Sequence, residues 1–272
     1  MTGHRFRAAE IDTSKPHSAR MYDYFLGGKT HYEADTEAAR RIEAAWPDVR
    51  PWTRANRSFM HRATHWLAAE AGIRQFLDIG TGIPTEPNLH QIAQRAAPGA
   101  RVVYADNDPI VLAYAQALLL SSAEGRTAYM HAEITDPRAI LAADELHATL
   151  DLSQPVALSL NAVLHFIANE QKPFYIVRQL VEPLAPGSYL VLSHGGLDPR
   201  TEISDAVTRL YRSSGIHVQG RTREEILPFF DGLELVEPGV VMPHRWRPGN
   251  AQARAAAEAL DLWIFAGVAR KP

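Results

Sequence analysis

The segment FLDIGTGIP (residues 76–84) places an acidic residue and a Gly-x-Gly turn directly after a short apolar run. This order is typical of the first strand and first loop of a nucleotide-binding α/β sheet. A dinucleotide-binding loop would carry a third glycine at position 85, for close helix packing beside a pyrophosphate, and this chain has Thr85 there. The segment therefore predicts an α/β fold whose ligand resembles a nucleotide but needs no pyrophosphate site.

Strand and helix patterns alternate from residue 75 onward. Apolar runs predict strands at 75–79, 101–105, 126–134, 155–160 and 187–194, and amphipathic patterns predict helices at 87–96, 109–120 and 172–184. Thr85 is the predicted N-cap of the first of these helices, with Pro87 in its first turn. Nearly continuous apolar strands that alternate with helices indicate a mostly parallel sheet covered on both faces.

The C-terminal part departs from this alternation. Helices are predicted at 201–213 and 223–230, followed by strands at 233–241 and 262–270. No strong helical pattern separates the last two strands, so they can form an antiparallel pair at the edge of the sheet.

Residues 1–72 show helical patterns only, and we expect them to form an N-terminal extension packed on the α/β domain of residues 73–272. One stripe of the segment 51–72 carries Phe59, Ala63, Trp66 and Leu67. A shorter helix in SARMYDYFLGG (18–28) should end at the Gly-Gly pair. The segment 18–28 is too aromatic for a mere tail. It either attaches the extension to the sheet or acts as a lid over the ligand.

The composition limits the possible functions. A chain of 272 residues with 46% hydrophobic residues can bury a full hydrophobic core. A net charge of -3 gives no sign of the basic surface that binds nucleic acid. The absence of cysteine excludes disulfides, thiolate metal sites and a cysteine nucleophile. MTGHRFRAAEID lacks the apolar region of a signal peptide, and no apolar run approaches membrane-spanning length. We therefore expect a soluble, cytoplasmic protein with no membrane or nucleic-acid partner.

S-adenosylmethionine meets the requirements of the glycine loop, because it contains no phosphate. Gly80 and Gly82 let the backbone approach a ligand without a β-carbon in the way. Asp106 ends the second predicted strand, 26 residues after Gly80, where an acid can bind ribose hydroxyls. Asp78 is a nearby anion for the ammonium group of the cofactor. Both carboxylates also have structural interpretations, since Asp78 can cap its turn and Asp-Asn-Asp-Pro makes good turns unaided.

Short motifs spread along essentially the whole chain carry a family resemblance. Besides FLDIGTGIP, they are VVYADNDP, PHSARMYDYFLGGKTHYEAD (16–35), RANRSFMHRA (54–63), VALSLNAVLHFI (156–167), GSYLVLSH and LVEPGVV. With these motifs the chain resembles a class I S-adenosylmethionine-dependent methyltransferase, and more narrowly a bacterial family labelled S-adenosyl methyltransferase with no assigned substrate. The resemblance implies a Rossmann-like, mostly parallel seven-stranded sheet with helices on both faces.

The resemblance also implies roles for individual residues. Asp106 would bind the ribose, Asn107 would lie near the adenine, and Glu133 would occupy the acidic adenine-facing position. The backbone of 160–162 would line the methionine end, where Asn161 replaces the small apolar residue expected there. The cofactor-binding residues predicted within the α/β domain are Asp78, Gly80, Thr81, Gly82, Asp106, Asn107, Glu133, Ile134, Leu160, Asn161 and Ala162.

The extension adds three predicted cofactor contacts. Arg20 and Tyr24 lie in the possible lid, and Arg57 is a suitable partner for the carboxylate of the cofactor. Asn56, beside Arg57, is a further polar side chain on the same helix.

The predicted reaction is in-line methyl transfer to a small-molecule acceptor. His165 is the first choice of general base if the acceptor must lose a proton, although a structural histidine is an equally good interpretation. His61 and His65 lack the third ligand of a metal site, so no metal is expected. A non-catalytic cofactor binder and a nicotinamide-dependent oxidoreductase stay open as alternatives, the latter disfavoured by Thr85. The oligomeric state and the acceptor atom do not follow from the sequence.

Overall fold

The computed structural model of the protein describes residues 12–118, 121–197, 201–249 and 262–272. The sheet in these residues contains β1 (Gln75–Ile79), β2 (Arg101–Asp106), β3 (Arg126–His131), β4 (Ala157–Asn161), β5 (Tyr189–Gly195), β6 (Glu234–Leu235) and β7 (Ile264–Arg270). Its strand order is β3-β2-β1-β4-β5-β7-β6. Strands β1 to β5 pair in parallel, and β7 runs antiparallel to β5 and β6. The predicted Rossmann-like, mostly parallel seven-stranded sheet is confirmed, including its antiparallel edge.

Helices cover both faces of this sheet. In the described residues they are α1 (Ser18–Leu26), α2 (Glu33–Ala45), α3 (Val49–Ala69), α4 (Leu89–Ala96), α5 (Pro109–Leu118), α6 (Pro137–Ala142), α7 (Asp144–Thr149), α8 (Pro173–Val181), α9 (Thr201–Ser213) and α10 (Arg223–Ile226). All regular structure described before β1 is helical, as the sequence pattern predicts. The segment MTGHRFRAAEI and the last two residues of the helix predicted at 109–120 lie outside the described residues.

The start of α4 differs from the prediction. Asn88, and not Thr85, precedes the first helical residue, and its backbone N–H donates to Gln91 Oε1 at 2.6 Å. The backbone N–H of Thr85 donates to Asn88 Oδ1 at 3.0 Å, so Thr85 belongs to the turn before the helix. Pro87 also lies before the helix. The loop after β1 is therefore longer than predicted, which leaves more backbone beside the glycine turn.

Two strands are shorter than their apolar patterns suggest. Strand β3 ends at His131, which pairs with Asp106, the last residue of β2, so no neighbouring strand remains beyond that point. Strand β6 keeps only two residues of the predicted 233–241, because Pro238 lacks an N–H donor and Gly239 has a φ of 80°.

Side-chain alternation along β1 assigns its residues to the two faces of the sheet. Leu77 and Ile79 belong to the core cluster on the face covered by α8, whereas Phe76 packs in the cluster that contains residues of α3 and α4. Since alternate strand residues share a face, Asp78 points to the same side as Phe76. The acid at the end of β1 therefore lies on the face that the N-terminal extension covers.

Helix α3 attaches the extension to that face. Its stripe of Phe59, Ala63 and Leu67 is almost fully buried against the sheet, as predicted, and Trp66 packs at the margin of the same cluster. Within the described residues, none of the helices is both long and apolar enough to cross a bilayer.

The Gly-Gly pair after α1 accommodates a buried carboxylate. Gly27 ends the helix in the left-handed region, with a φ of 84°. The Asp23 carboxylate turns back and accepts the backbone N–H of Thr30 at 2.8 Å and contacts His31 Nδ1 at 3.0 Å. A β-carbon at Gly28 would lie 2.0 Å from Asp23 Oδ1, so only glycine fits beside this carboxylate.

We expect Gly28→Ala to lower the free energy of unfolding by about 1–3 kcal/mol, because the new methyl group overlaps the buried Asp23 carboxylate. Gly99→Ala is the matched control, since a β-carbon there meets no atom within 4 Å. Its change should stay below about 0.5 kcal/mol. Urea unfolding of both variants measures the difference, and equal stabilities would contradict this account of the Gly-Gly pair.

Candidate functional site

One large cavity lies at the carboxyl ends of the parallel strands, where ligands bind in open α/β sheets. It encloses about 1520 Å³, including the part open to solvent. The glycine turn after β1 and the ends of β2, β4 and β5 form its floor. Side chains of α1, α3 and α9 also line it, and part of it is open to solvent. The N-terminal extension is thus part of the cavity wall.

The backbone of the glycine turn depends on both glycines. Gly80 has a φ of 74°, and a β-carbon there would lie 2.6 Å from Val163 Cγ2. Gly82 also has a positive φ, 69°, but a β-carbon there would meet no atom within 4 Å. Gly80 is therefore needed for packing, whereas Gly82 leaves free space beside the cavity. The Thr81 hydroxyl donates to the carbonyl oxygen of Asp78 at 3.1 Å and holds the turn closed.

Asp106 connects the ends of β1 and β2. Its Oδ2 accepts the backbone N–H of Gly82 at 2.8 Å, and its Oδ1 accepts the backbone N–H of Asp108 at 2.9 Å. Burial raises the pKa of Asp106, while the two N–H donors act in the opposite direction. The turn-forming interpretation of Asp106 is therefore correct in part. Each oxygen keeps further acceptor capacity, and the carboxylate lines the cavity.

Asp78 supplies a second carboxylate to the same end of the cavity. Burial raises the pKa of Asp78 to about 6, against the opposing effects of the Ser159 hydroxyl and the Arg57 charge. Because this value exceeds the ordinary one, the ionised form costs folding stability above pH 6, and the cost disappears as the pH falls towards 4. A cation bound beside Asp78 would favour the ionised form.

Arg57 reaches the cavity from α3. Its Nη2 donates to the carbonyl oxygens of Thr85 and Pro87, the latter at 2.9 Å. Its buried Nε has no hydrogen-bond partner among the described residues. The Arg57 guanidinium thus lies beside the glycine turn, and its Nε–H can still donate a hydrogen bond. Binding of the cofactor carboxylate, its predicted role, requires such a donor.

The residues after β4 add a polar atom to the floor. Asn161 Nδ2 donates to Ser159 Oγ at 2.6 Å, and its buried Oδ1 has no partner among the described residues. Ala162 has a φ of 53° and donates its N–H to Ser193 Oγ at 2.9 Å. Leu160 is fully buried in the hydrophobic core and anchors the backbone of residues 160–162 at the end of β4.

The predicted adenine-side residues are divided between the cavity and its rim. Asn107 lines the cavity, and its Nδ2 donates to the two carboxylate oxygens of Glu133 at 3.1 and 3.2 Å. Glu133 itself is exposed and does not line the cavity, and Ile134 is buried in the hydrophobic core. Glu133 therefore orients Asn107 in this structure.

His165 lines the cavity but is poorly suited to its predicted role as a general base. Its Nδ1 accepts the backbone N–H of Gly195 at 3.4 Å, and its ring packs 6.0 Å from the Trp52 ring. Burial, with a further contribution from Arg221, lowers the pKa of His165 to about 3. The imidazole is neutral at pH 7 and binds a proton too weakly for efficient general-base catalysis.

Three polar side chains join the extension to the sheet at the cavity wall. Asn56 Nδ2 donates to the Tyr22 hydroxyl at 2.8 Å, and Asn56 Oδ1 accepts the Ser193 hydroxyl at 2.5 Å. These bonds link α1, α3 and β5 directly. The polarity of Asn56 was visible in the sequence, but its partner Ser193, which lies 137 positions away, was not.

Arg20 and Tyr24 do not line the cavity, in contrast to the prediction of direct cofactor contact. Arg20 forms buried ion pairs with Asp35 at 3.5 Å and Asp108 at 3.4 Å. The Tyr24 hydroxyl bonds to Glu43 at 3.3 Å, and its ring lies under Arg50. The two side chains face away from the cavity because α1 buries them against its own neighbours and the loop after β2. Among the described residues no group of three or more His, Asp or Glu side chains is arranged to hold a metal ion.

The chain matches the family model for S-adenosyl methyltransferases over residues 4–272. A DUF574 family protein from Streptomyces avermitilis is 51% identical, with a TM-score of 0.91 and coverage of 96% of this chain and 100% of that chain. A candidate methyltransferase from Thermobifida fusca is 38% identical, with a TM-score of 0.88 and coverage of 96% of each chain. No curated protein matches the chain.

A more distant structure shares the fold alone. Magnesium protoporphyrin IX methyltransferase from Synechocystis, with S-adenosylhomocysteine bound, is 12% identical, with a TM-score of 0.54 and coverage of 93% of each chain. The family match and the two similar structures span nearly the whole chain. The chain therefore belongs to the S-adenosyl methyltransferase family, with S-adenosylmethionine as its cofactor and a class I methyltransferase fold.

Proposed function

We propose that this methyltransferase transfers the methyl group to a small molecule held in the cavity between the glycine turn and the N-terminal extension. The observation that carries this proposal is the division of the cavity into two ends. Two buried carboxylates and an arginine lie at the glycine turn, and a chamber lined mainly by rings and aliphatic side chains lies under α1, α3 and α9. An acceptor in that chamber would lie inside the protein, which favours a small molecule over a macromolecular surface.

The residues at the glycine turn suit the groups of S-adenosylmethionine. We assign Asp106 to the ribose hydroxyls, Asp78 to the ammonium and the unpartnered Nε of Arg57 to the carboxylate. Beside these three side chains, Gly82 leaves free space for the ligand, and Asn161 Oδ1 is a hydrogen-bond acceptor without a partner among the described residues. When bound, the cofactor supplies a methyl group already activated by its sulfonium.

The protein then contributes to the reaction by holding the cofactor and the acceptor in line and by keeping water away from them. Holding two reactants in line provides several kcal/mol of the barrier reduction, typically about 7–11 kcal/mol in well-oriented systems. The low pKa of His165 means that an acceptor needing a strong base would not find one there. We assign His165 to the wall of the chamber, where it orients the acceptor as a neutral hydrogen-bonding ring.

The extension acts as a cover held by two sets of contacts. One is the Tyr22–Asn56–Ser193 chain, and the other is the ion pair of Arg20 with Asp108. Asp108 follows Asp106 on the same loop, and Asp106 accepts its backbone N–H. Arg20 is therefore a positioning residue that couples the cover to the cofactor loop.

The cofactor class is tested by ligand-dependent thermal unfolding. S-adenosylhomocysteine at 100 times its Kd should stabilise the protein by about 2.7 kcal/mol, and NAD should not. Asp106→Asn keeps the shape of the side chain but removes its charge, so S-adenosylhomocysteine affinity should fall about 10–150-fold. Calorimetry measures this, with circular dichroism as the folding control. Stabilisation by NAD alone would overturn the proposal.

Affinity for S-adenosylhomocysteine should also depend on pH through Asp78. The carboxyl group takes up a proton as the pH falls through about 6, and the ammonium of the ligand then loses its counter-charge. The Kd should therefore rise about tenfold between pH 7 and pH 5. Asp78→Asn should bind more weakly at pH 7 and lose this part of the pH dependence. Any dependence that survives comes from other titratable groups, and an unchanged profile would remove Asp78 from the ammonium site.

The coupling role of Arg20 is tested against a second arginine of the extension. Arg20→Gln breaks the ion pair to the cofactor loop, so we expect S-adenosylhomocysteine affinity to fall at least about fivefold, or roughly 1 kcal/mol. Arg50→Gln is the control, because Arg50 pairs with Glu43 within the extension. Its affinity should stay within about twofold. Equal losses in the two variants would indicate a general effect of destabilising the extension.

A further inference from the structure

The chamber under the extension is walled by a chain of aromatic rings. The Trp46 and Trp52 rings lie 5.9 Å apart, and the Trp52 and His165 rings 6.0 Å apart. The His165 and Phe166 rings follow at 4.2 Å, and the Phe166 and Tyr211 rings at 6.1 Å. This row of rings runs from the extension through the loop after β4 to α9. All five residues line the cavity.

The acidic and arginine side chains that line the cavity within the described residues lie at its other end. Among the described lining residues, the acids and the arginine are Asp78, Asp106 and Arg57, and all three lie beside the glycine turn. On the side of the rings, α9 contributes uncharged side chains to the wall, the aliphatic Ile203 and Val207 and the hydroxyl-bearing Ser204 and Thr208. A charged group placed there would lose water without gaining a counter-charge from these residues.

One ring of this chamber also carries a hydroxyl. The Tyr211 side chain lines the cavity, and its hydroxyl can donate a hydrogen bond. Burial raises the pKa of Tyr211 well above its ordinary value, so the hydroxyl keeps its proton and remains a donor. A ligand with an acceptor atom beside this hydroxyl would gain a hydrogen bond from it.

We propose that the methyl acceptor is an uncharged, flat, ring-containing molecule that packs against Trp52 and Tyr211 and accepts a hydrogen bond from the Tyr211 hydroxyl. This inference rests on the proposed function and adds the chemical class of the acceptor to it. Rings prefer offset or edge-to-face contacts at these separations, and an aromatic ligand continues the existing row. The uncharged wall selects against ionised analogues of the same shape.

Three probes with the same naphthalene ring system and different charge test the proposal. The full-length protein is first saturated with S-adenosylhomocysteine, and 2-naphthol, 2-naphthoate and 2-naphthylmethylammonium are then titrated by calorimetry at pH 7. We expect 2-naphthol to bind at least about tenfold more tightly than either ion, because the ions would place a charge beside uncharged lining residues. The cationic probe is included because aromatic walls can also attract cations.

Two substitutions locate the binding. Val207→Asp places a carboxylate in the wall and should weaken 2-naphthol binding at least about tenfold, while S-adenosylhomocysteine binding stays within about twofold. Leu235→Asp is the matched control, because Leu235 is 41% exposed on β6, away from the cavity, and both ligands should then bind as before. Tyr211→Phe removes only the hydroxyl and should weaken 2-naphthol binding about 2–10-fold, even if Val207→Asp fails to fold.

The outcomes separate this inference from the proposed function. Failure of S-adenosylhomocysteine to bind would argue against the proposed function itself. If that ligand binds, the acceptor class is overturned when either ion binds as tightly as 2-naphthol or when 2-naphthol does not bind at about 1 mM, a free energy of about -4 kcal/mol. It is also overturned when neither Val207→Asp nor Tyr211→Phe changes 2-naphthol affinity.

Discussion

The Asp106 carboxylate holds together the two loops from which the cofactor end of the site is built. Its two oxygens accept backbone N–H groups from the glycine turn after β1 and from the loop after β2, at 2.8 and 2.9 Å. These bonds bring Gly82 and Asp108 to one place. The carboxylate therefore shapes the pocket as well as lining it. The Arg20–Asp108 ion pair extends this connection to the N-terminal helices.

The second constraint is the alternation of side chains along β1. Because Asp78 shares a face with Phe76, the helix that packs on that face also reaches the acid. Helix α3 packs there through Phe59, and Asn56 and Arg57, less than one turn before it, line the cavity. The extension that completes the hydrophobic core thus also lines the cavity.

This arrangement gives the two ends of the cavity different electrostatics. At the glycine turn, buried carboxylates hold raised pKa values and an arginine lies beside them, a combination suited to a ligand with both an ammonium and a carboxylate. Under the extension, rings and aliphatic side chains make up most of the wall, and His165 is kept neutral by burial. The proposed reaction needs little acid–base chemistry from the part of the cavity under the extension. Orienting the acceptor and keeping water away from it is sufficient there.

The amino-acid sequence by itself determined the class of fold and the glycine-turn end of the site. Strand periodicity, the Gly-x-Gly turn and the acids at the ends of β1 and β2 are local signals, and each lies within a few residues of the element it specifies. Only the tertiary structure decided which side of the extension faces the cavity. Tyr22 lines it and Tyr24 does not, because their directions depend on how α1 packs against α3 and the loop after β2. The pairing of Asn56 with Ser193 and the row of rings ending at Tyr211 join residues far apart in the chain. Such contacts leave no periodic signal, since they arise when separate elements pack together.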